Sequence, residues 1–166
     1  RLSIDIDIIM PEKEELDKAF EKIVKDKRFT RFELQERQVN SHIEKAHYKF
    51  IFEPVYKTAR VYEYVLLDIL FEKPQYQQII SQNIDSTFVF QSGKPLQVQV
   101  PGFDDILGDK LTAFAPNTTG IPYEKRGQSR AMEIIKQLYD IGYLVEQIQS
   151  PAITAKTFHA FAKTEL

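Results

Sequence analysis

A chain of 166 residues, 43% hydrophobic and 28% charged, has the make-up of a globular protein large enough to bury a core. Its net charge of −2 excludes the overall basic field of a general nucleic-acid binder, and the absence of cysteine excludes disulfides, thiolate metal sites and a thiol nucleophile. No apolar run reaches membrane-spanning length and none resembles a signal peptide, so a cytoplasmic protein with no membrane partner is expected. Because the first residue lies inside a strand pattern and is not Met, a further segment is expected upstream.

The opening run from Arg1 to Met10 is an apolar strand carrying two carboxylates. Strand side chains alternate, so Ser3, Asp5 and Asp7 project to one side, and Leu2, Ile4, Ile6 and Ile8 to the other. Like charges this close repel, and a divalent cation is a common remedy. A solvated face on an edge strand is the simpler account. Pro11 and the acidic residues Glu12, Glu14 and Glu15 then open an amphipathic helix, with Leu16, Phe20, Ile23 and Val24 on its apolar face, ending near Lys27. Three strand patterns follow, over about 30–38, 42–55 and 60–71, and the turns between them predict an antiparallel meander. Two shorter strands, 87–90 and 96–100, are joined by a hairpin connection containing Gly93 and Pro95.

From Pro101 the pattern becomes helical. Asp104 and Asp105 are placed to cap a helix reaching Phe114, an exposed loop covers 118–127, and further helices span about 129–147 and 150 to the end. Ile153, Phe158 and Phe161 are the expected buried contacts of the last. The fold class is therefore α+β, a sheet core over 1–100 followed by a helical part over 101–166 that packs on it.

Three features carry chemistry. Asp68 interrupts Leu66, Leu67, Ile69 and Leu70, so burial is expected, and a buried carboxylate needs a cation, a basic partner or a proton. If its strand lies beside the first, Asp68 joins Asp5 and Asp7 in the three-carboxylate arrangement that two-metal nucleotidyl transfer requires. Pairing with a lysine or arginine is the alternative. Lys110 shares the stripe of Leu107, Leu111 and Phe114 at i, i+3, i+4, i+7 spacing, placing an ammonium on the inward face of its helix. It either snorkels to the edge or points at a phosphate or carboxylates. Asp140 borders the stripe of Met132, Tyr139 and Tyr143, beside a second stripe of Ile134, Ile135, Leu138 and Val145, and has Lys136 four residues before it as a simple partner. The basic stretches 22–31 and 125–136 could touch phosphates, whereas His42, His47 and His159 show no ligand spacing and read as structural.

These residues together resemble the AbiEii nucleotidyltransferase toxin family, also described as type IV toxin or MenT-like. Arg1 to Asp7 match its Arg-Leu-Ser-x-Asp-(Ile or Leu)-Asp strand. Leu107 to Ala113 match its Leu-x-(Glu or Asp)-Lys-Leu-x-Ala helix, and Lys136 to Ile141 match a basic residue followed by x-(Leu or Ile)-Tyr-Asp-(Leu or Ile). The resemblance implies a nucleotidyltransferase fold and a metal-dependent enzyme. It would move a nucleoside monophosphate from an NTP to a tRNA or protein acceptor, in a toxin–antitoxin or phage-defence system with a cognate antitoxin. It further implies Mg2+ or Mn2+ on Asp5, Asp7 and Asp68, nucleotide contacts from Ser3 and Lys110, and catalytic roles for Asp5, Asp7, Asp68, Lys110 and Asp140. The family's Gly-Gly-(Thr or Ser) phosphate-binding element precedes its Asp-x-Asp strand, so it is expected upstream of Arg1. Without that element, a catalytically degenerate binding module is the alternative; a phosphodiesterase using the same carboxylates is a third reading.

Overall fold

The computed structural model describes residues 5–12, 16–35, 44–57, 59–85, 87, 92–115 and 120–165. The chain forms two compact units, residues 1–74 and residues 75–166.

In the first unit, β1 (Asp5–Met10), α1 (Leu16–Lys25), β2 (Arg31–Leu34), β3 (Glu44–Phe52) and β4 (Glu63–Phe71) follow one another. The sheet order is β1-β4-β3-β2, with β1 parallel to β4 and the other neighbours antiparallel. The expected meander is β2-β3-β4, and the first strand does lie beside the third strand of that meander. The alternating residues of each strand decide which face is buried. Ile8, Met10, Phe32, Ala46, Tyr48, Phe50, Leu67, Ile69 and Phe71 pack around Phe20 of α1. Phe20 meets the rings of Phe32, Tyr48 and Phe50 edge-on at 4.8–5.4 Å between centroids, the geometry that the ring quadrupoles favour. Ile6, expected inside, remains exposed. The helix gives way to a turn in which Lys27, with φ 59°, donates its N–H to the carbonyl of Val24.

In the second unit, β5 (Ile79–Asn83) pairs with β6 (Gln97–Pro101), followed by α2 (Phe103–Phe114), β7 (Glu124–Lys125), β8 (Gln128–Ser129), α3 (Ala131–Val145) and α4 (Pro151–Glu165). The partner of β6 is thus Ile79–Asn83, not the expected 87–90, of which residues 88–90 lie outside the described residues. Three polar residues in Ile79–Asn83 had hidden its strand character. Compactness also divides the chain at 74/75 rather than at 100/101. The reason is Asp105: its carboxylate accepts the N–H groups of Gln77 and Gln78, while Gly102 N–H bonds to Gln78 C=O, tying the β5–β6 pair to α2.

Neither Asp104 nor Asp105 caps its own helix, whose N-cap is Gly102 without a side-chain bond. Asp105 accepts a further bond from the Thr157 hydroxyl of α4, and Asp104 holds the N–H groups of Gln149 and Ser150 at the start of α4. Both carboxylates therefore fasten other segments onto α2. Gly108 lets α4 come against α2, since a Cβ there would stand 2.6 Å from the Thr154 carbonyl oxygen. On α4, Phe161, Thr154 and Thr157 are buried, with Ile153 and Phe158 half-buried. The loop expected over 118–127 contains half of a hairpin, β7–β8, turned by Arg126 and Gly127, both at positive φ as a two-residue turn of type I′ requires. Neither expected stripe of α3 is its buried face: Ile141 and Leu144 pack with Leu107 of α2, and Met132, Ile135, Leu138, Tyr139, Tyr143 and Val145 are exposed. The class is mixed α+β, with four helices among the described residues.

Candidate functional site

Burial of one sheet face on α1 sends the intervening residues to the other. Asp5 and Asp7 of β1, Asp68 of β4 and His47 of β3 therefore share the face opposite the aromatic core. Asp7 is the register partner of Asp68 across the parallel pair, and Asp68 is the register partner of His47 across the antiparallel one. The three stand in a row across the sheet, with Asp5 opposite Leu66 one step along. Asp5 and Asp7 are exposed. Asp68 is not deeply buried, as its flanking residues had suggested: its side chain keeps 30% exposure, because Leu67 and Ile69 take the core side. Its observed partner is His47, with Nδ1 2.8 Å from Oδ1, where a lysine or arginine was the expected alternative. An ionised carboxylate only accepts, so Nδ1 carries the hydrogen.

This face has the donor chemistry of a site for a hard divalent cation, namely carboxylate oxygens. Neighbouring strands lie about 4.8 Å apart, so Asp7 and Asp68 start close enough to share a cation. Among the described residues no group of three or more His, Asp or Glu residues is arranged to hold a metal ion. Ser3, the other residue expected on this face, lies outside the described residues.

The second unit gathers the remaining expected residues. Inward positions of α3 include Gln137 and Asp140 alongside Ile134, Ile141 and Leu144. Lys110 of α2 donates to Gln137 Oε1 at 3.1 Å and to Asp140 Oδ2 at 3.2 Å. The ammonium is held between two helices, with 33% side-chain exposure against 23% for Asp140. An ammonium has three N–H donors, so a third bond is available for a ligand. Beside it, burial pushes the Asp109 carboxyl above its usual range, while the Tyr76 hydroxyl, donating at 3.0 Å, and the charge of Lys110 pull it back.

His47 and Gln137 are the contacts that sequence reasoning missed. The available signal was slight: His47 occupies the same alternation phase as Lys45 and Lys49, but only the register shows which residue it faces. Gln137 precedes Asp140 by three residues, one turn along the same helix face.

The described site thus consists of carboxylates on adjacent strands of one sheet face, within a mixed α+β chain. The sequence profile of a family described as nucleotidyl transferase AbiEii toxin, type IV TA system, matches residues 1–165, and the chain belongs to that family. No curated protein and no solved structure matches it. Among the described residues, no helix is long and apolar enough to cross a membrane.

Proposed function

We propose that this protein transfers a nucleoside monophosphate from an NTP to a hydroxyl of a tRNA or protein acceptor, releasing pyrophosphate. The observation that carries the reading is the register match of Asp7 with Asp68 on the face that also bears Asp5, in a chain of the AbiEii family. Asp5, Asp7 and Asp68 would hold Mg2+ or Mn2+, which when bound neutralises triphosphate charge and polarises the α-phosphorus. Asp68 accepts the proton of the attacking hydroxyl as its oxygen bonds to phosphorus and the bond to pyrophosphate breaks. Lys110, which the family's motif implicates in phosphate contact, has its ammonium held by Asp140 within the second unit. The family membership supports a cognate antitoxin as the restraint on this activity, in the cytoplasm and in defence against phage.

A catalytically silent binding module is the second reading, favoured by the carboxylates not forming a metal-holding group. One experiment separates the two. The full-length protein is incubated with each labelled NTP, Mg2+ or Mn2+, and total tRNA or protein acceptors. Label should reach an acceptor, chelation by EDTA should stop the transfer, and Asp7→Asn should abolish it while melting stays unchanged, because Asp7 is exposed and the substitution removes charge without changing volume. Equal labelling by the Asp7→Asn variant would rule the transfer mechanism out.

A further inference from the structure

We infer that His47 is a positioning residue for Asp68, an inference that rests on the transfer reading above. On β3 three basic or ionisable residues, Lys45, His47 and Lys49, share the face of the carboxylates. Register gives each a different partner: Lys45 faces Leu70, Lys49 faces Leu66, and His47 faces Asp68. The Lys49 ammonium instead lies 4.6 Å from the centroid of the Tyr64 ring. The group that reaches Asp68 is thus the shortest and most rigid of the three.

That choice has chemical consequences. An imidazole donates from Nδ1 on a short, planar ring, so it can orient a carboxylate through one directed bond. A lysine in its place would add a full positive charge on a mobile stem. With its side chain only 12% exposed, the His47 ring has little room to turn, and its bond to Oδ1 fixes the plane of the Asp68 carboxylate. The second oxygen, Oδ2, then points in a set direction. Partners of this kind, one bond behind a reacting or ligating group, act through orientation and not through contact with substrate.

The role is tested in the full-length protein with His47→Leu and His47→Asn, using Asp7→Asn as a control. The asparagine amide places an N–H donor at the same distance from Cβ as Nδ1. His47→Leu should lower kcat by about ten- to hundredfold, weaken Mn2+ binding measured by electron paramagnetic resonance, and leave the KM for NTP within about twofold. His47→Asn should recover most of both losses, which a purely structural role does not explain. A readout independent of activity is the 15N spectrum of the His47 ring, which should show Nδ1 protonated and revert to the Nε2–H tautomer in Asp68→Ala. Full turnover and unchanged Mn2+ affinity in His47→Leu, with transfer lost in Asp7→Asn, overturns the role of His47 alone. Unchanged transfer in Asp7→Asn overturns the reaction itself, and this role with it.

Discussion

Lys110 and Asp140, 30 positions apart in the chain, meet with Nζ 3.2 Å from Oδ2 across α2 and α3. Each had a simpler fate open to it, the lysine snorkelling to the helix edge and the aspartate pairing with Lys136. Their meeting fixes the ammonium in space, which a phosphate-contacting charge needs and a free surface lysine lacks.

For this pair, Lys110→Met should preserve the packing of the stem and lower stability by about 1 kcal/mol, the scale of a partly exposed ion pair. If the charge serves phosphate, the same variant should lose turnover on the order of a hundredfold or more, and Lys110→Arg should restore only part of it. Asp140→Asn should lower turnover less, and add little in the Lys110→Met background. Single-turnover labelling beside urea titration reads both effects. A well-folded Lys110→Met protein with full turnover would reduce the lysine to a structural tie.

Asp105 should be among the most sensitive positions of the second unit. It has no exposed surface, and it satisfies two backbone N–H groups and one hydroxyl. Asp105→Ala leaves those donors without their acceptor, and a loss of about 2–4 kcal/mol is expected in urea titration. Asp105→Asn, retaining one acceptor oxygen, should lose less. A change in Asp105→Ala below about 0.5 kcal/mol would mean that water or rearrangement replaces these bonds.

Gly108→Ala sets two effects against each other. Alanine gains about 1 kcal/mol of helix propensity. Its methyl, however, would meet the Thr154 carbonyl oxygen at 2.6 Å and the Phe158 nitrogen at 2.9 Å, both backbone atoms that cannot swing aside. Overpacking of this kind costs about 1–3 kcal/mol, so the expected outcome is a net fall in melting temperature. A rise would show that α2 and α4 separate at little expense.

Asp109 ties stability to pH. Burial raises its folded pKa above the ordinary value of 3.8, so between those two values the folded state binds more protons than the unfolded one. Stability from this group is therefore present at low pH and lost as pH rises through the folded pKa. Asp109→Asn keeps an acceptor for the Tyr76 hydroxyl and removes the charge. Relative to the parent protein it should gain stability as pH is raised from about 3.8 toward neutrality; parallel curves from chemical denaturation across that range would show that Asp109 is not the source.

Much of the site was legible because it depends on local periodicity. Alternation alone puts Asp5 and Asp7 on one side of β1, and helical spacing alone puts Lys110 beside Leu107 and Leu111. The three-strand meander was likewise legible from runs of apolar residues and turns. Where sequence reasoning went astray, the deciding interactions were distant. The strand Ile79–Asn83 is weak by composition and exists because β6 pairs with it; the buried stripe of α3 was set by where α2 lies, not by which residues on α3 are most apolar.

What the sequence by itself determined is the inventory and its phase: which residues share a face, and which helices and strands carry them, since φ/ψ preference and side-chain period act over a few residues. What only the tertiary structure decided is adjacency. That β1 runs parallel to β4 with Asp7 opposite Asp68, that His47 and not Lys49 meets Asp68, and that Lys110 closes on Asp140, follow from strand register and helix packing. Register comes from burying whole apolar faces at once, and a slip of β1 by one residue would turn Asp5 and Asp7 toward the core.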